Sequence, residues 1–233
     1  MKKSEIISTN LVQKLIDDKA TMVFPFAFDM VLRHYDQINK VKGDIVECGV
    51  WRGGFSIFLA HLFDDKTIWV SDSFEGFQPL EQAKYKYHKE RHVPEFTMTG
   101  LGPIGISLEE VKWHFHSNGL GSEDRIKYLK GFVKDTLPTS GIEEIALLRI
   151  DVDSYSAHLE VLDELYDKVQ PGGYIIFDDS CLYEAMDAIK YFFRLRDLGN
   201  EIIDPIDDKP RNIYKPYTND DSGFPASCYI IKK

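Results

Sequence analysis

The sequence predicts an α/β fold in which a mostly parallel β-sheet is covered by helices on both faces. Two observations predict it. Short apolar runs rich in β-branched residues alternate with segments of helical length along most of the chain. Glycine-bearing turns or acidic residues close those runs at their C-terminal ends, where open parallel sheets bind their ligands.

Taken in order, strands are expected at Asp44–Cys48, Thr67–Asp72, Ile126–Lys130, Ala146–Asp151 and Tyr174–Asp178. Helices are expected at Phe55–Leu62, Leu108–Asn118, Ala157–Val169 and Leu182–Leu198. Ser107, followed three residues later by Glu110, reads as a capping box for the second of these. "QPGGY", from Gln170 to Tyr174, reads as the turn that ends the third helix, and the closing "PASCYIIKK" reads as an antiparallel edge strand. The polar, proline-containing stretch Asp204–Gly223 reads as a surface loop. The segment at about residues 78–106, rich in aromatics, His and Lys, is too long for an ordinary connection and suits an active-site lid.

With 233 residues and 43% hydrophobic content, the chain suits one domain over residues 1–233, with an N-terminal helical extension at about 1–42. The net charge of −10 argues against a nucleic-acid partner. No apolar run approaches the roughly 18 residues needed to span a bilayer, and no signal-peptide core follows the first lysines. Three cysteines, Cys48, Cys181 and Cys228, form no CxxC pair and argue against a disulfide framework or zinc site. The expectation is a cytoplasmic protein with neither a membrane nor a nucleic-acid partner.

"IVECGVWRGGFSIFLA", Ile45 to Ala60, puts Glu47 at the end of a buried strand and then Gly49, Gly53 and Gly54 where the strand hands over to a helix. Small residues let a ligand approach the backbone, and a helix N-terminus offers free N–H groups. A dinucleotide fold needs G-x-G-x-x-G at this point to receive a pyrophosphate. The sequence instead has a carboxylate two residues before the first glycine, which repels pyrophosphate and attracts a cationic amino acid. S-adenosylmethionine, with its sulfonium and ammonium groups, fits that demand. Asp72, closing the second strand in "WVSDSFEG", suits the hydroxyls of a ribose. Gly131, Phe132 and Asp135 in "YLKGFVKDTLP" suit the wall of an adenine site. The candidate cofactor residues are Glu47, Cys48, Gly49, Val50, Gly53 and Ser56 at the first turn, Asp72, Ser73 and Phe74 at the second, and Gly131 and Phe132 at the third, together with Asp151.

Asp151 ends the fourth strand; Asp178 and Asp179 end the fifth, and strand–helix–strand spacing brings both ends side by side. Converging carboxylates repel unless a cation or protons sit among them, and an oxygen-only set suits Mg²⁺. A cation holding a substrate hydroxyl lowers its pKa, and a carboxylate beside it removes the proton. Asp151 is the candidate for combined ligand and base. Asp153 suits either a helix cap or the metal shell, and Arg52 either a local salt bridge or a hold on the lid. Tyr155, His158, His88 and His92 are candidates for contact with the substrate.

The stretches "GDIVECGVWRGG", "SDSFEGF", "YLKGFVKDTLP", "LLRIDVDSY" and "GGYIIFDDS" together resemble the macrocin O-methyltransferase family, over Gly43 to Ser180. The resemblance implies a Rossmann-like class I methyltransferase with a seven-stranded sheet, S-adenosylmethionine and Mg²⁺ as cofactors, a sugar or glycoside acceptor, and a homo-oligomer. It assigns cofactor roles to Glu47, Gly49, Asp72 and Ser73, and metal roles to Asp151, Asp178 and Asp179. Cys48 departs from the family's usual Thr, and Ala157 and His158 from its Ser-Thr. A catechol-type O-methyltransferase is the nearest alternative. An NAD-dependent sugar oxidoreductase lacks its glycine motif and Tyr-x-x-x-Lys pair here, and a non-catalytic binding protein has no need of the acid cluster.

Overall fold

The computed structural model describes residues 3–87, 97–98, 102–215 and 224–233. Three helices come first, α1 (Lys3–Asp17), α2 (Pro25–Arg33) and α3 (Tyr35–Lys40). Strand and helix then alternate through β1 (Asp44–Cys48), α4 (Gly54–Leu62) and β2 (Ile68–Asp72). A small ribbon of β3 (Thr97–Met98) and β4 (Gly102–Pro103) precedes α5 (Leu108–Ser117), β5 (Ile126–Lys130), α6 (Val133–Thr136) and β6 (Ile145–Ile150). The chain ends with α7 (Tyr155–Leu165), β7 (Val169–Asp178), α8 (Tyr183–Leu195), β8 (Glu201–Asp204), β9 (Lys209–Asn212) and β10 (Ser227–Ile231).

The main sheet has the order β5-β2-β1-β6-β7-β10-β8-β9. Its first five strands are mutually parallel, and β10, β8 and β9 run antiparallel to their neighbours. Eight strands therefore stand where seven are expected. The added one, β9, is "KPRN" inside the stretch read as a loop; it has no apolar run to announce it and, among the described residues, pairs with β8. Because this hairpin lies outside it, β10 is an interior strand rather than the expected edge. "QPGG" does not end a helix either: it bulges within β7, where the register jumps from Ile145–Val169 to Leu147–Tyr174 and Gly172 adopts φ +82°.

Parallel strands covered on both faces read as continuous apolar runs, and β6 is buried throughout. Ile45, Ile68, Val70, Leu147 and Ile176 pack on one face beneath residues of α1, α2 and α4. Val46, Cys48, Leu148, Ile150, Ile175 and Phe177 pack on the other against residues of α7 and α8. The segment between α1 and α2 is tied to the sheet's carboxyl edge by Gly54, whose N–H donates to the Ala20 carbonyl at 2.9 Å where a Cβ would collide with it. Strand order reverses at β1, between β2 and β6, and the ends of these strands form the crevice described next.

Candidate active site

Three strand ends are stitched together at the turn after β1. Gly49 donates to the Ser71 carbonyl at 2.8 Å, and Asp151 donates to the Cys48 carbonyl at 2.8 Å. Gly49 sits at φ +82°, and a Cβ there would overlap the Asp151 carbonyl oxygen, so no other residue fits without moving β6 away. Asp72 accepts from Val50 N–H and Phe74 N–H, both at 2.8 Å, binding the first turn to the second. Burial raises its carboxyl pKa while those N–H groups pull it down. Ser73 Oγ donates to the Gly76 carbonyl at 2.6 Å, and Gly131 N–H to the Asp72 carbonyl at 2.9 Å. Trp51, Phe74, Asp153 and Asp179 all adopt left-handed φ values of 47–57° around this crevice, a concentration of backbone strain typical of a site.

Gly49, Asp72, Ser73, Phe132 and Asp151 line a crevice of about 750 Å³. A second cavity of about 870 Å³ adjoins it, floored by Glu47, Arg149 and four aspartates and walled by Met22, Phe24 and Phe77 among others. Asp151 and Asp153 line both.

The floor is an ion cluster. Arg149, only 1% exposed, stands opposite Glu47 across the β1–β6 ladder. It bonds to Glu47 and Asp178, and to Asp151 Oδ2 at 2.9 Å. Ser56 Oγ also donates to Glu47. Burial pushes the Glu47 carboxyl up to about 6 against the pull of Arg149 and Ser56. Asp151, Asp153 and Asp179 each offer a carboxylate oxygen, all within 4.8 Å of one another. Burial first, then Asp153 and Asp151, hold the Asp179 carboxyl well above its usual range. A half-buried site with this much unbalanced negative charge, all of it oxygen, fits a hard divalent cation.

The structure differs from the sequence expectations at several positions. Asp178 turns to Arg149, and Asp153 takes the third place in the carboxylate triad. The cap of α7 is the neighbouring Ser154, which accepts from Ala157 N–H at 3.1 Å, so Asp153 is not the capping residue. Cys48 packs in the opposite core, where burial pushes its thiol far up, and does not line either cavity. Phe74 packs in the core, Gly53 faces Val111 and Phe115 of α5, and Ser56 acts behind Glu47. Asp135 is exposed and paired with Lys134 rather than walling the crevice. His158 is buried, its Nδ1 at 2.9 Å from the Ser154 carbonyl, and Tyr155 stacks on Tyr87 at 4.5 Å; neither lines the cavities. His88 and His92 lie outside the described residues. Arg52 bridges to Glu110 of α5, far away in sequence, at 2.9 Å. That bridge takes the Glu110 side chain, while the other half of the capping box, Ser107 Oγ accepting from Glu110 N–H at 3.2 Å, is made. Arg149 carries one sequence signal, a lone cation inside the apolar run "ALLRI", and no motif marks it.

No helix among the described residues is long and apolar enough to cross a membrane. The model of the macrocin O-methyltransferase family (TylF) matches residues 27–210. Mycinamicin III 3''-O-methyltransferase of Micromonospora griseorubida is 36% identical over 171 residues, covering 71% of this chain and 66% of the relative. Demethyldecarbamoylnovobiocin O-methyltransferase of Streptomyces niveus is also 36% identical over 171 residues, covering 71% and 63%. The matched part is thus less than two thirds of either relative's length. The solved structure of the O-methyltransferase NovP superposes with a TM-score of 0.76 at 24% identity, over 98% of this chain and 97% of that one. That likeness establishes the fold as that of class I O-methyltransferases.

Proposed function

The chain belongs to the macrocin O-methyltransferase family, and from that premise we propose that it is an S-adenosylmethionine- and Mg²⁺-dependent O-methyltransferase acting on a hydroxyl of a sugar or sugar-bearing metabolite. The observation that carries this reading is the sharing of Asp151 and Asp153 between the glycine-turn crevice and the acid-floored cavity. A cofactor crevice and a cation site that meet at two carboxylates suit a transfer from one ligand to the other.

In this reading Gly49, Asp72, Ser73 and Phe132 receive the nucleoside, and Glu47 faces the cationic amino-acid end. When bound, S-adenosylmethionine supplies a methyl group on a sulfonium. Asp151 and Asp179, with Asp153 beside them, hold the cation, and Asp178 stands at the edge of the cluster on Arg149. When bound, Mg²⁺ supplies the charge that acidifies a hydroxyl. Asp151, anchored to Arg149 through Oδ2, takes the hydroxyl proton on its other oxygen as the new C–O bond forms. The walls from Met22, Phe24 and Phe77 exclude water and position the acceptor. A relative of Streptomyces olivaceus, 36% identical over 156 residues, is named 8-demethyl-8-(2,3-dimethoxy-alpha-L-rhamnosyl)-tetracenomycin-C 4'-O-methyltransferase, and the rhamnosyl group in that name supports a glycoside acceptor. Tyr191 and Leu195, exposed one turn apart on α8, support a homo-oligomer, and dependence on a cytoplasmic metabolite supports a cytoplasmic site of action.

The test is calorimetric titration with S-adenosylhomocysteine, with NAD⁺ in parallel, followed by turnover assays with Mg²⁺. Micromolar binding of S-adenosylhomocysteine alone is expected. Binding of NAD⁺ alone would overturn the methyltransferase reading. Methylation of a catechol but no glycoside would keep the cofactor and overturn the acceptor.

A further inference from the structure

Among the described residues lining the two cavities, Arg149 is the one cation. Its Nη1 reaches Glu47 and Asp151, its Nη2 reaches Asp178, and its Cζ lies 4.5 Å from the centre of the Phe55 ring. Glu47 is its register partner on β1, and Asp178 lies two residues beyond its partner Ile176 on β7, on the same face. One planar group therefore touches the ends of β1, β6 and β7 at once. Charge balance would require a single carboxylate, whereas Arg149 has three, and two more adjoin them in the triad. A buried ion pair is commonly no more stabilising than apolar side chains of similar volume, so stability alone does not account for a guanidinium inside β6. Its geometry does: a rigid fork fixes the direction of each carboxylate it holds, which a lysine ammonium cannot.

We propose that Arg149 is a positioning residue for methyl transfer. It orients the proton-accepting carboxylate of Asp151 by holding Oδ2, spaces Asp151 from Asp178, and ties that spacing to Glu47 at the cofactor turn. The inference rests on the methyltransferase reading, and it concerns a residue that touches neither the transferred methyl group nor the acceptor. Positioning residues behind metal ligands commonly change metal affinity or activity by about 10–100-fold.

The experiment compares the full-length chain with Arg149→Lys, which keeps the charge and loses the fork. Thermal melting reports folding, electron paramagnetic resonance reports Mn²⁺ affinity without cofactor or acceptor, and calorimetry reports S-adenosylhomocysteine affinity. Steady-state kinetics then use the acceptor found for the wild type. The expected result is a cooperative melt, S-adenosylhomocysteine affinity within about threefold, and Mn²⁺ affinity about tenfold weaker. Turnover is expected to fall by about 100-fold with both KM values nearly unchanged. A folded variant with unchanged Mn²⁺ affinity and turnover would overturn the proposal. So would a loss confined to KM, which would make Arg149 a binding contact. If Arg149→Lys does not melt cooperatively, the double variant Arg149→Gln with Asp178→Asn, which removes one charge of each sign, is judged by the same readouts. Failure of the wild type itself to bind S-adenosylhomocysteine would instead overturn the methyltransferase reading, and this inference with it.

Discussion

Two polar clusters sit on the same face of the sheet and solve opposite problems. At the carboxyl edge of the parallel strands, Arg149 meets Glu47, Asp151 and Asp178, with Asp153 and Asp179 alongside. On the antiparallel flank, Asp208 receives Arg33 through two bonds of 3.0 Å and the Tyr229 hydroxyl at 3.1 Å. The His34 ring completes that flank, 3.1 Å from the Tyr174 hydroxyl and 3.2 Å from that of Tyr229. The flank is balanced by its own donors and fastens α2 to the β8–β9 turn. The edge carries surplus negative charge that its own cation does not cancel. A self-satisfied cluster holds a fold together, whereas an unbalanced one is organised for charge that arrives from outside.

The largest effect is expected from breaking the unbalanced cluster. Asp179→Asn keeps the side-chain shape, and Asn tolerates the left-handed backbone at this position, φ 52°. Removing one of three converging carboxylates should lower kcat/KM by about 10³-fold while S-adenosylhomocysteine affinity stays within about threefold. Stability should move the other way: relief of like-charge repulsion raises the Tm of the metal-free protein by about 2–4 °C. Full activity in Asp179→Asn would remove Asp179 from the cation site, and a lowered metal-free Tm would contradict the surplus of charge.

The contrast between the clusters also marks what can be read from the sequence. Gly49, Asp72, Asp151 and Asp179 were legible because each ends a short apolar run, so local pattern places it at the crevice. Glu47 was legible as an acid at a strand end, but not as the partner of Arg149. That pairing depends on the register of β1, β6 and β7, which no local pattern encodes. A lone Arg in "ALLRI" reads as an interruption until two other strands bring carboxylates to it. Asp153 and Ser154 are both good helix caps by residue type, and only geometry decides that Ser154 caps and Asp153 joins the triad. The strand "KPRN" is made by its partner rather than by its own propensity. Met22 and Phe24 carry no motif and reach the cavity only because Gly54 lets the α1–α2 connection lie close.

The two clusters should answer pH with opposite signs. Glu47 is raised from 4.5 to about 6 in the folded chain, so below about pH 4.5 the group is protonated in both states and its contribution is fully present. As pH rises through about 6 that contribution is lost, by about 2 kcal/mol for a shift of this size. Asp179, raised in the same direction, adds to the fall. Asp208 behaves in reverse. Burial pushes its carboxyl up, but hydrogen bonds from Arg33 and His34 outweigh this and leave it below 3.8, so its contribution is present above that pH and lost on acidification. Melting curves of the metal-free protein between pH 4.5 and 7.5 should therefore show Tm falling with pH, and Glu47→Gln should flatten part of the fall. A Tm that rises across this range, with no change of slope in Glu47→Gln, would contradict the unbalanced edge.

The smallest effect belongs to the balanced cluster. Asp208 adopts φ 54°, so Asn is again the substitution that leaves the backbone at ease. Asp208→Asn removes the charge that Arg33 grips, but both partners are partly exposed, with 40% and 31% of their side-chain surface accessible, and solvent screens the pair. A loss of about 1–2 kcal/mol follows from the hydrogen bonds that weaken together, which is a Tm lowered by about 3–6 °C in a chain of this size. S-adenosylhomocysteine and Mn²⁺ affinities should stay at their wild-type values, because this cluster shares no residue with either cavity. An Asp208→Asn variant that keeps its Tm but loses ligand affinity would reverse the assignment of the two clusters. The flank would then be coupled to the site, and its balance of charge would not be the mark of a purely structural role.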